Sequence, residues 1–132
     1  MTARRKIVIV DDSPICREVA AQALEDRGHE VIALASPVGL TRTIRTCAPD
    51  LVLVDVGMPE VRGDRLVRLT RSLGVRDVAI FLHSDRGVGE LQRLTAECGA
   101  NGYIVKGAEA DAFVDSVERA IAARPSRSSS TP

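Results

Sequence analysis

Short apolar runs alternate with longer amphipathic stretches along the chain, and each kind occurs five times. The apolar runs are rich in branched residues, are bounded by turn-forming residues, and cover residues 6–10, 30–35, 51–54, 78–82 and 102–105. Runs of this kind are typical of buried strands. Because predicted strands and helices alternate with short connections, the pattern predicts an α/β fold with a parallel sheet and helices on both faces.

The amphipathic stretches carry apolar residues at helical spacing. Ser13 and Pro14 form a helix-start signature, because the hydroxyl can cap free N–H groups and proline lacks a donor that would be unpaired anyway. This first helix is predicted to end near Gly28 and to bury a stripe formed by Cys16, Val19, Ala20, Ala23 and Leu24. The third helix is predicted to begin near Gly63 and to bury Leu66, Leu69 and Leu73.

Length and charge narrow the class of protein. The chain has 132 residues, with 18 basic and 18 acidic side chains that give a formal net charge of zero. This balance does not indicate binding to nucleic acid or to an anionic membrane. No apolar run is long enough to cross a bilayer, and the N-terminus lacks the apolar core of a signal peptide. We therefore expect a cytoplasmic protein without direct nucleic-acid or membrane contacts.

One domain is expected over residues 1–123. Residues 124–132 contain no apolar side chain that could dock, so they are predicted to be a disordered tail or a linker. Cys16, Cys47 and Cys98 are widely spaced and form no CxxC motif, which favours small apolar core residues over a redox or metal role.

Polar side chains follow four of the predicted strands. They are Asp11 and Asp12 after the first strand, Asp55 after the third, Ser84 after the fourth and Lys106 after the fifth. Ligands of open parallel sheets bind beyond the carboxyl ends of the strands, and neighbouring strands lie about 4.8 Å apart. We therefore expect these five side chains to converge on one pocket.

Crowded carboxylates repel one another, and a hard divalent cation such as Mg²⁺ relieves that repulsion with oxygen ligands. A metal and a lysine that neutralise phosphoryl oxygens while Asp55 attacks would suit phosphoryl transfer onto a carboxylate. Taken singly, each residue has an ordinary explanation: Asp11 and Asp12 as helix-dipole partners, Ser84 as a turn residue, Lys106 as a solvated charge. Their joint placement at strand ends favours a functional site.

In this order and spacing, the residues resemble the receiver domain of bacterial two-component response regulators, from about residue 6 to 123. The resemblance rests on the acidic pair Asp11 and Asp12, the DxxMPxxxG pattern from Asp55 to Gly63, the hydroxyl of Ser84, and Tyr103 three residues before Lys106. It implies a flavodoxin-like fold of five βα units with strand order 2-1-3-4-5.

The resemblance also implies a role for each matching residue. Asp55 would be the phosphoacceptor, Asp12 a direct magnesium ligand, Asp11 a ligand through water, and Gly57 a ligand through its backbone carbonyl. Lys106 and Ser84 would contact the phosphoryl group. Tyr103 would then turn inward and change the face formed by the fourth helix, the fifth strand and the fifth helix.

Two positions depart from the family pattern. Gly107 follows Lys106 where the family usually has a proline, often after a cis bond, and a cis bond without proline costs about 3–4 kcal/mol. We therefore expect either a trans bond with a shifted Lys106 or a strained cis bond that glycine tolerates. Asp85 stands where the family favours a small residue, and it either repels a phosphoryl donor or points to solvent.

Gly57 and Arg86 occupy positions that tend to set the lifetime of the phosphoryl group in the family. Gly57 has no side chain that could position or block an attacking water, whereas Arg86 could screen the group from solvent. We therefore expect Arg86→Ala to change the rate of dephosphorylation.

The leading hypothesis is a phosphorylatable switch that is not an enzyme beyond its self-catalysed phosphorylation and dephosphorylation. Its partners would be a histidine kinase or histidine phosphotransfer protein and a downstream protein target, with the chain a monomer or a phosphorylation-dependent dimer. A pseudo-receiver that binds partners without phosphorylation is the alternative. A hydrolase with an aspartyl-phosphate intermediate is less favoured, because Gly57 leaves no second carboxylate two residues after Asp55.

Overall fold

Residues 3–123 are described by the computed structural model, and they form a five-stranded parallel sheet with five helices. The strands are β1 (Lys6–Val10), β2 (Glu30–Leu34), β3 (Leu51–Asp55), β4 (Ala79–Ser84) and β5 (Gly102–Val105). The helices are α1 (Pro14–Asp26), α2 (Leu40–Cys47), α3 (Gly63–Ser72), α4 (Val88–Cys98) and α5 (Ala110–Ala123). The strand order is β2-β1-β3-β4-β5, which confirms the predicted flavodoxin-like topology. The predicted tail, 124–132, lies outside the described residues.

The sheet separates two apolar cores, because successive side chains of a strand point to opposite faces. One core packs alternate strand residues such as Val52 and Leu82 against α2, α3 and α4. The other packs the intervening residues, such as Leu53 and Ile104, against α1 and α5. All five residues of β3 are buried, as expected of a central strand covered on both faces.

The predicted start of α1 is confirmed, but part of its predicted buried stripe is wrong. The hydroxyl of Ser13 accepts a hydrogen bond from the N–H of Cys16 at 3.2 Å, and Pro14 begins the helix. Ala20, Ala23 and Leu24 are buried, whereas the Val19 side chain is 64% exposed. The buried face of α1 is therefore narrower than its apolar pattern.

The predicted inner face of α3 is also wrong in part. Leu66 is buried, but Leu69 and Leu73 are 53% and 51% exposed, and Val67 and Thr70 take the inward positions. The hydroxyl of Thr70 donates to the carbonyl of Leu66 at 2.8 Å, which lets a polar residue occupy the core side. A periodic leucine pattern could not show which of two adjacent helical stripes faces the sheet.

Gly63 seats the first turn of α3 against the end of β3. A Cβ at this position would overlap the backbone carbonyl of Asp55. The N–H of Gly63 also donates to the carbonyl of Val56 at 3.0 Å. The chain therefore needs glycine here to close the loop that follows Asp55. Among residues 3–123, no helix is both long enough and apolar enough to span a membrane.

Candidate functional site

Three of the polar strand-end residues lie on the same face of the sheet. Asp55 ends β3, while Asp11 and Lys106 directly follow β1 and β5. Their positions continue the alternation of Ile9, Leu53 and Ile104, which face α1 and α5. Carboxylate oxygens of Asp11, Asp12 and Asp55 all lie within 4.8 Å of one another, with Asp12 exposed and the other two buried. The structure thus brings the predicted acidic residues together.

Asp11 is fixed by contacts around both of its carboxylate oxygens. Oδ1 accepts the N–H of Ser13 at 3.0 Å, and Oδ2 accepts from the ammonium group of Lys106 at 2.8 Å. The guanidinium of Arg17 donates to the backbone carbonyl of Asp11 at 2.7 Å. The first turn of α1 therefore holds this carboxylate at the edge of the pocket.

Lys106 supplies a positive charge to this group of carboxylates. Its Nζ lies 3.3 Å from Oδ1 of Asp55, and its side chain is only 17% exposed. Burial favours the neutral amine, but the hydrogen bond to Asp11 and the charges of both carboxylates outweigh that effect and raise the pKa of Lys106. The side chain therefore stays an ammonium at neutral pH.

Asp55 is a buried carboxyl whose ionisation is opposed by its surroundings. Burial raises its pKa above the ordinary value, and the charge of Asp11 raises it further. Lys106 and the N–H of Gly57 act in the opposite direction without cancelling the rise. Three carboxylates facing one ammonium leave the pocket with a deficit of positive charge.

The residues present fit a divalent cation. A hard metal ion such as Mg²⁺ prefers carboxylate oxygens, and here three carboxylates come close enough to share one ion. Burial is the main cause of the raised pKa of Asp55, and the same ion would counter both this effect and the repulsion by Asp11, because its charge favours the ionised carboxyl group. Asp11, Asp12 and Asp55 are therefore the side chains that could hold it.

The bond between Lys106 and Gly107 is trans, as are the other peptide bonds of residues 3–123. Of the two expected outcomes, the trans bond is found, yet the Lys106 ammonium still reaches Asp11 and Asp55. Gly107 has a φ of +101°, a conformation that favours glycine. The N–H of Lys106 donates to the carbonyl of Ser84 at 2.8 Å, which anchors the turn. The Lys106 ammonium thus contacts both carboxylates without a cis bond before Gly107.

Ser84 and Tyr103 lie on the opposite face of the sheet from Asp55. Ser84 pairs with Val105 and Leu82 pairs with Tyr103, so both side chains face the α4 side. Ser84 is 2% exposed, and its hydroxyl oxygen accepts the N–H of Arg86 at 3.2 Å. Tyr103 is partly buried against the core beside α4. The predicted switch residues are therefore neighbours on one face.

The remaining predicted residues lie around the rim. Gly57 and Asp85 are exposed, so the Asp85 carboxylate points to solvent. Arg86 is partly buried, and its Nη1 forms an ion pair with Oε2 of Glu90 at 2.9 Å. Sequence reasoning missed Glu90, although the spacing of four residues between opposite charges could have indicated the pair.

Sequence reasoning also missed His83, the neighbour of Ser84 within β4. Its ring is buried and stacks on Phe113 with centroids 5.1 Å apart. Burial, aided by the charge of Lys106, lowers the pKa of His83 to about 4, so the imidazole is neutral at physiological pH. A histidine in a strand of apolar residues gave no signal that it would lie near the acidic pocket.

Comparisons with known proteins agree with this geometry. The family model described as "Response regulator receiver domain" matches residues 7–118. The transcriptional regulatory protein AruR of Pseudomonas aeruginosa is 32% identical over 108 residues, which cover 76% of this chain and 43% of that protein. The sensor kinase/phosphatase CqsS of Vibrio cholerae is 30% identical over 115 residues, 86% of this chain and 17% of that protein. The chain thus spans less than half the length of either relative.

Solved structures have the same fold. The two-component response regulator of the LuxR family from Aurantimonas is 28% identical, with a TM-score of 0.81 and coverage of 92% of this chain and 88% of that chain. Chemotaxis protein CheY4 of Vibrio cholerae also superposes with a TM-score of 0.81, covering 89% of this chain and 99% of that one, at 24% identity. The second likeness concerns the fold alone.

Proposed function

Because the chain belongs to the response regulator receiver domain family, we propose that it is a phosphorylatable switch of a two-component phosphorelay. In this proposal Asp55 accepts a phosphoryl group from a phosphohistidine of a histidine kinase or a histidine phosphotransfer protein. The observation that carries the proposal is the contact of Lys106 with both Asp11 and Asp55 beside the exposed Asp12.

The pocket residues, and Ser84 from the other face of the sheet, each have a defined task in this reaction. The Asp55 carboxylate attacks phosphorus as the bond from phosphorus to the donor histidine nitrogen breaks and the imidazole leaves, while the Lys106 ammonium attracts the phosphoryl oxygens to the pocket. The buried Ser84 hydroxyl keeps its proton free to donate, because its oxygen is the acceptor in the bond with Arg86. Asp11, Asp12, Asp55 and the carbonyl of Gly57 would hold Mg²⁺. When bound, that ion would neutralise part of the charge on the phosphoryl oxygens.

The output would arise on the α4 side of the sheet. We propose that Ser84 moves toward the phosphoryl group and that Tyr103 follows on the same face, which changes the surface of α4, β5 and α5. A two-state surface biased by one new charge is sufficient for this change. A downstream protein would read the surface. We propose that the protein acts in the cytoplasm, as a monomer or as a phosphorylation-dependent dimer.

Intact mass after incubation with acetyl phosphate and Mg²⁺ tests the acceptor. The wild-type chain should gain the mass of one phosphoryl group, and Asp55→Asn should gain none. Asp77→Asn is the matched control, because Asp77 is an exposed aspartate before β4. Removal of Mg²⁺ with a chelator should suppress the gain. A wild-type chain that stays unmodified would instead support the pseudo-receiver, which binds partners in one fixed state.

A further inference from the structure

The loop between β4 and α4 carries an ion pair at the carboxyl edge of the sheet. Arg86 lies two residues beyond the end of β4, and its N–H is bonded to the buried Ser84 hydroxyl. Its guanidinium is paired with Glu90 at 2.9 Å, and both side chains are about one-third exposed. Because β4 neighbours β3, with His83 opposite Asp55, this arginine is at the same edge of the sheet as the proposed acceptor.

Glu90 has two reasons to remain where it is. It lies in the first turn of α4, where the helix dipole favours a carboxylate, and the Gly87 cap provides no side-chain hydrogen bond. The pair with Arg86 adds the i,i+4 contact. Arg86 lies in the loop before the helix, so helical hydrogen bonds restrain it less than they restrain Glu90.

A phosphoryl group would compete with Glu90 for this guanidinium. It carries a charge of about −2 and three acceptor oxygens, whereas the carboxylate of Glu90 carries a single charge and is partly screened by solvent. Arginine binds phosphate with two parallel hydrogen bonds, which favours the transfer further. The unphosphorylated Asp55 carboxylate attracts the Arg86 guanidinium less strongly, since Lys106 already contacts that carboxylate.

We propose that Glu90 is a positioning residue that retains Arg86 at α4 and thereby limits how fully its guanidinium covers a phosphorylated Asp55. This inference rests on the proposed function. Dephosphorylation breaks the bond between phosphorus and the Asp55 oxygen as water attacks phosphorus, and it yields inorganic phosphate and the free carboxylate. Arg86 over the phosphoryl oxygens obstructs the approach of that water. Glu90 therefore shortens the lifetime of the phosphorylated state.

Dephosphorylation rates of four variants test this inference, with intact mass followed over time after the phosphodonor is removed. Glu90→Gln should slow the loss about twofold, the effect expected when one exposed ion pair is removed. Glu97→Gln on the same helix is the control and should match the wild type, since Glu97 is exposed and its carboxylate is remote from the loop. Arg86→Ala should accelerate the loss.

The double variant Arg86→Ala with Glu90→Gln separates positioning from a structural effect on α4. Its rate should equal that of Arg86→Ala alone, because Glu90 acts only through Arg86. Equal rates for wild type and Glu90→Gln would overturn the inference, as would a Glu90→Gln effect that persists without Arg86. Either of these results leaves phosphorylation of Asp55 intact, whereas a wild-type chain that never gains phosphoryl mass overturns the proposed function and this inference together.

Discussion

Two clusters of charge in this protein both hold more carboxylates than cationic groups, yet they shift the pKa of a carboxyl group in opposite directions. In the pocket at the carboxyl ends of the strands, Asp11, Asp12 and Asp55 face Lys106. In the second cluster, His29 and Arg27 connect the end of α1 and the start of β2 to α5. In the pocket, burial disfavours the ionised form of Asp55. In the second cluster, each carboxylate has a close cationic or histidine partner.

The second cluster shows what a structural arrangement of these residues looks like. Nε2 of His29 lies 2.7 Å from Glu118, and its Nδ1 accepts the N–H of Arg5 at 3.0 Å. Burial alone would raise the pKa of Glu118, but hydrogen bonds from His29 and Arg27 outweigh burial and lower it below the ordinary value. The pKa of Asp55 is shifted upward instead. A carboxyl group whose ionised form is disfavoured by its surroundings is typical of a functional site.

The largest expected effect is a loss of stability on substitution of Gly63, which seats α3 beneath the pocket and does not contact the second cluster. Gly63→Ala would push a Cβ into the carbonyl of Asp55, and overpacking of this kind costs about 3 kcal/mol in the free energy of unfolding. Urea denaturation measures that loss. Gly57→Ala, in the same motif, should leave stability unchanged because no atom lies within 4 Å of its added Cβ. If the two variants lost equal amounts of stability, the close contact between Gly63 and the end of β3 would not matter for folding.

A smaller loss is expected from the second cluster. Glu118→Gln should lower the free energy of unfolding at neutral pH by about 1.5 kcal/mol, because two charge-assisted hydrogen bonds become neutral ones. The native pKa of Glu118 is lowered, so its contribution is present above the ordinary value of 4.5 and is lost as pH falls through the native pKa. The difference between variant and wild type should therefore shrink in acid. Glu25→Gln, an exposed position on α1, is the control.

Removal of a carboxylate charge from the pocket should change the free energy of unfolding in the opposite direction. Asp55→Asn should increase the free energy of unfolding by about 1 kcal/mol at neutral pH without Mg²⁺, since the desolvation and the repulsion by Asp11 exceed the attraction of Lys106. The native pKa of Asp55 is raised, so the wild type loses stability as pH rises through it, and the advantage of the variant should vanish in acid. Unfolding curves across pH measure both differences. A destabilised Asp55→Asn chain would remove the contrast between the two clusters.

The sequence was sufficient to predict the pocket, because its residues lie at the carboxyl ends of predicted strands. Asp11, Asp55 and Lys106 meet because parallel strands deliver their last residues to one edge, whatever the details of packing. The bond between His29 and Glu118 joins residues 89 positions apart in the chain, and no local pattern indicates it. The orientation of α3 was also beyond prediction, because it depends on how Gly63 fits under β3.

The alternation of side chains along the strands has a further consequence. The Asp55 carboxylate lies on the side of the sheet that carries α1 and α5, while Tyr103 lies on the side that carries α4. If the proposed function holds, one layer of strands separates the residue that accepts the signal from the residue that passes it on. Replacement of Tyr103 should then leave phosphorylation intact and weaken only the response of a partner protein, whereas Asp55→Asn should abolish both.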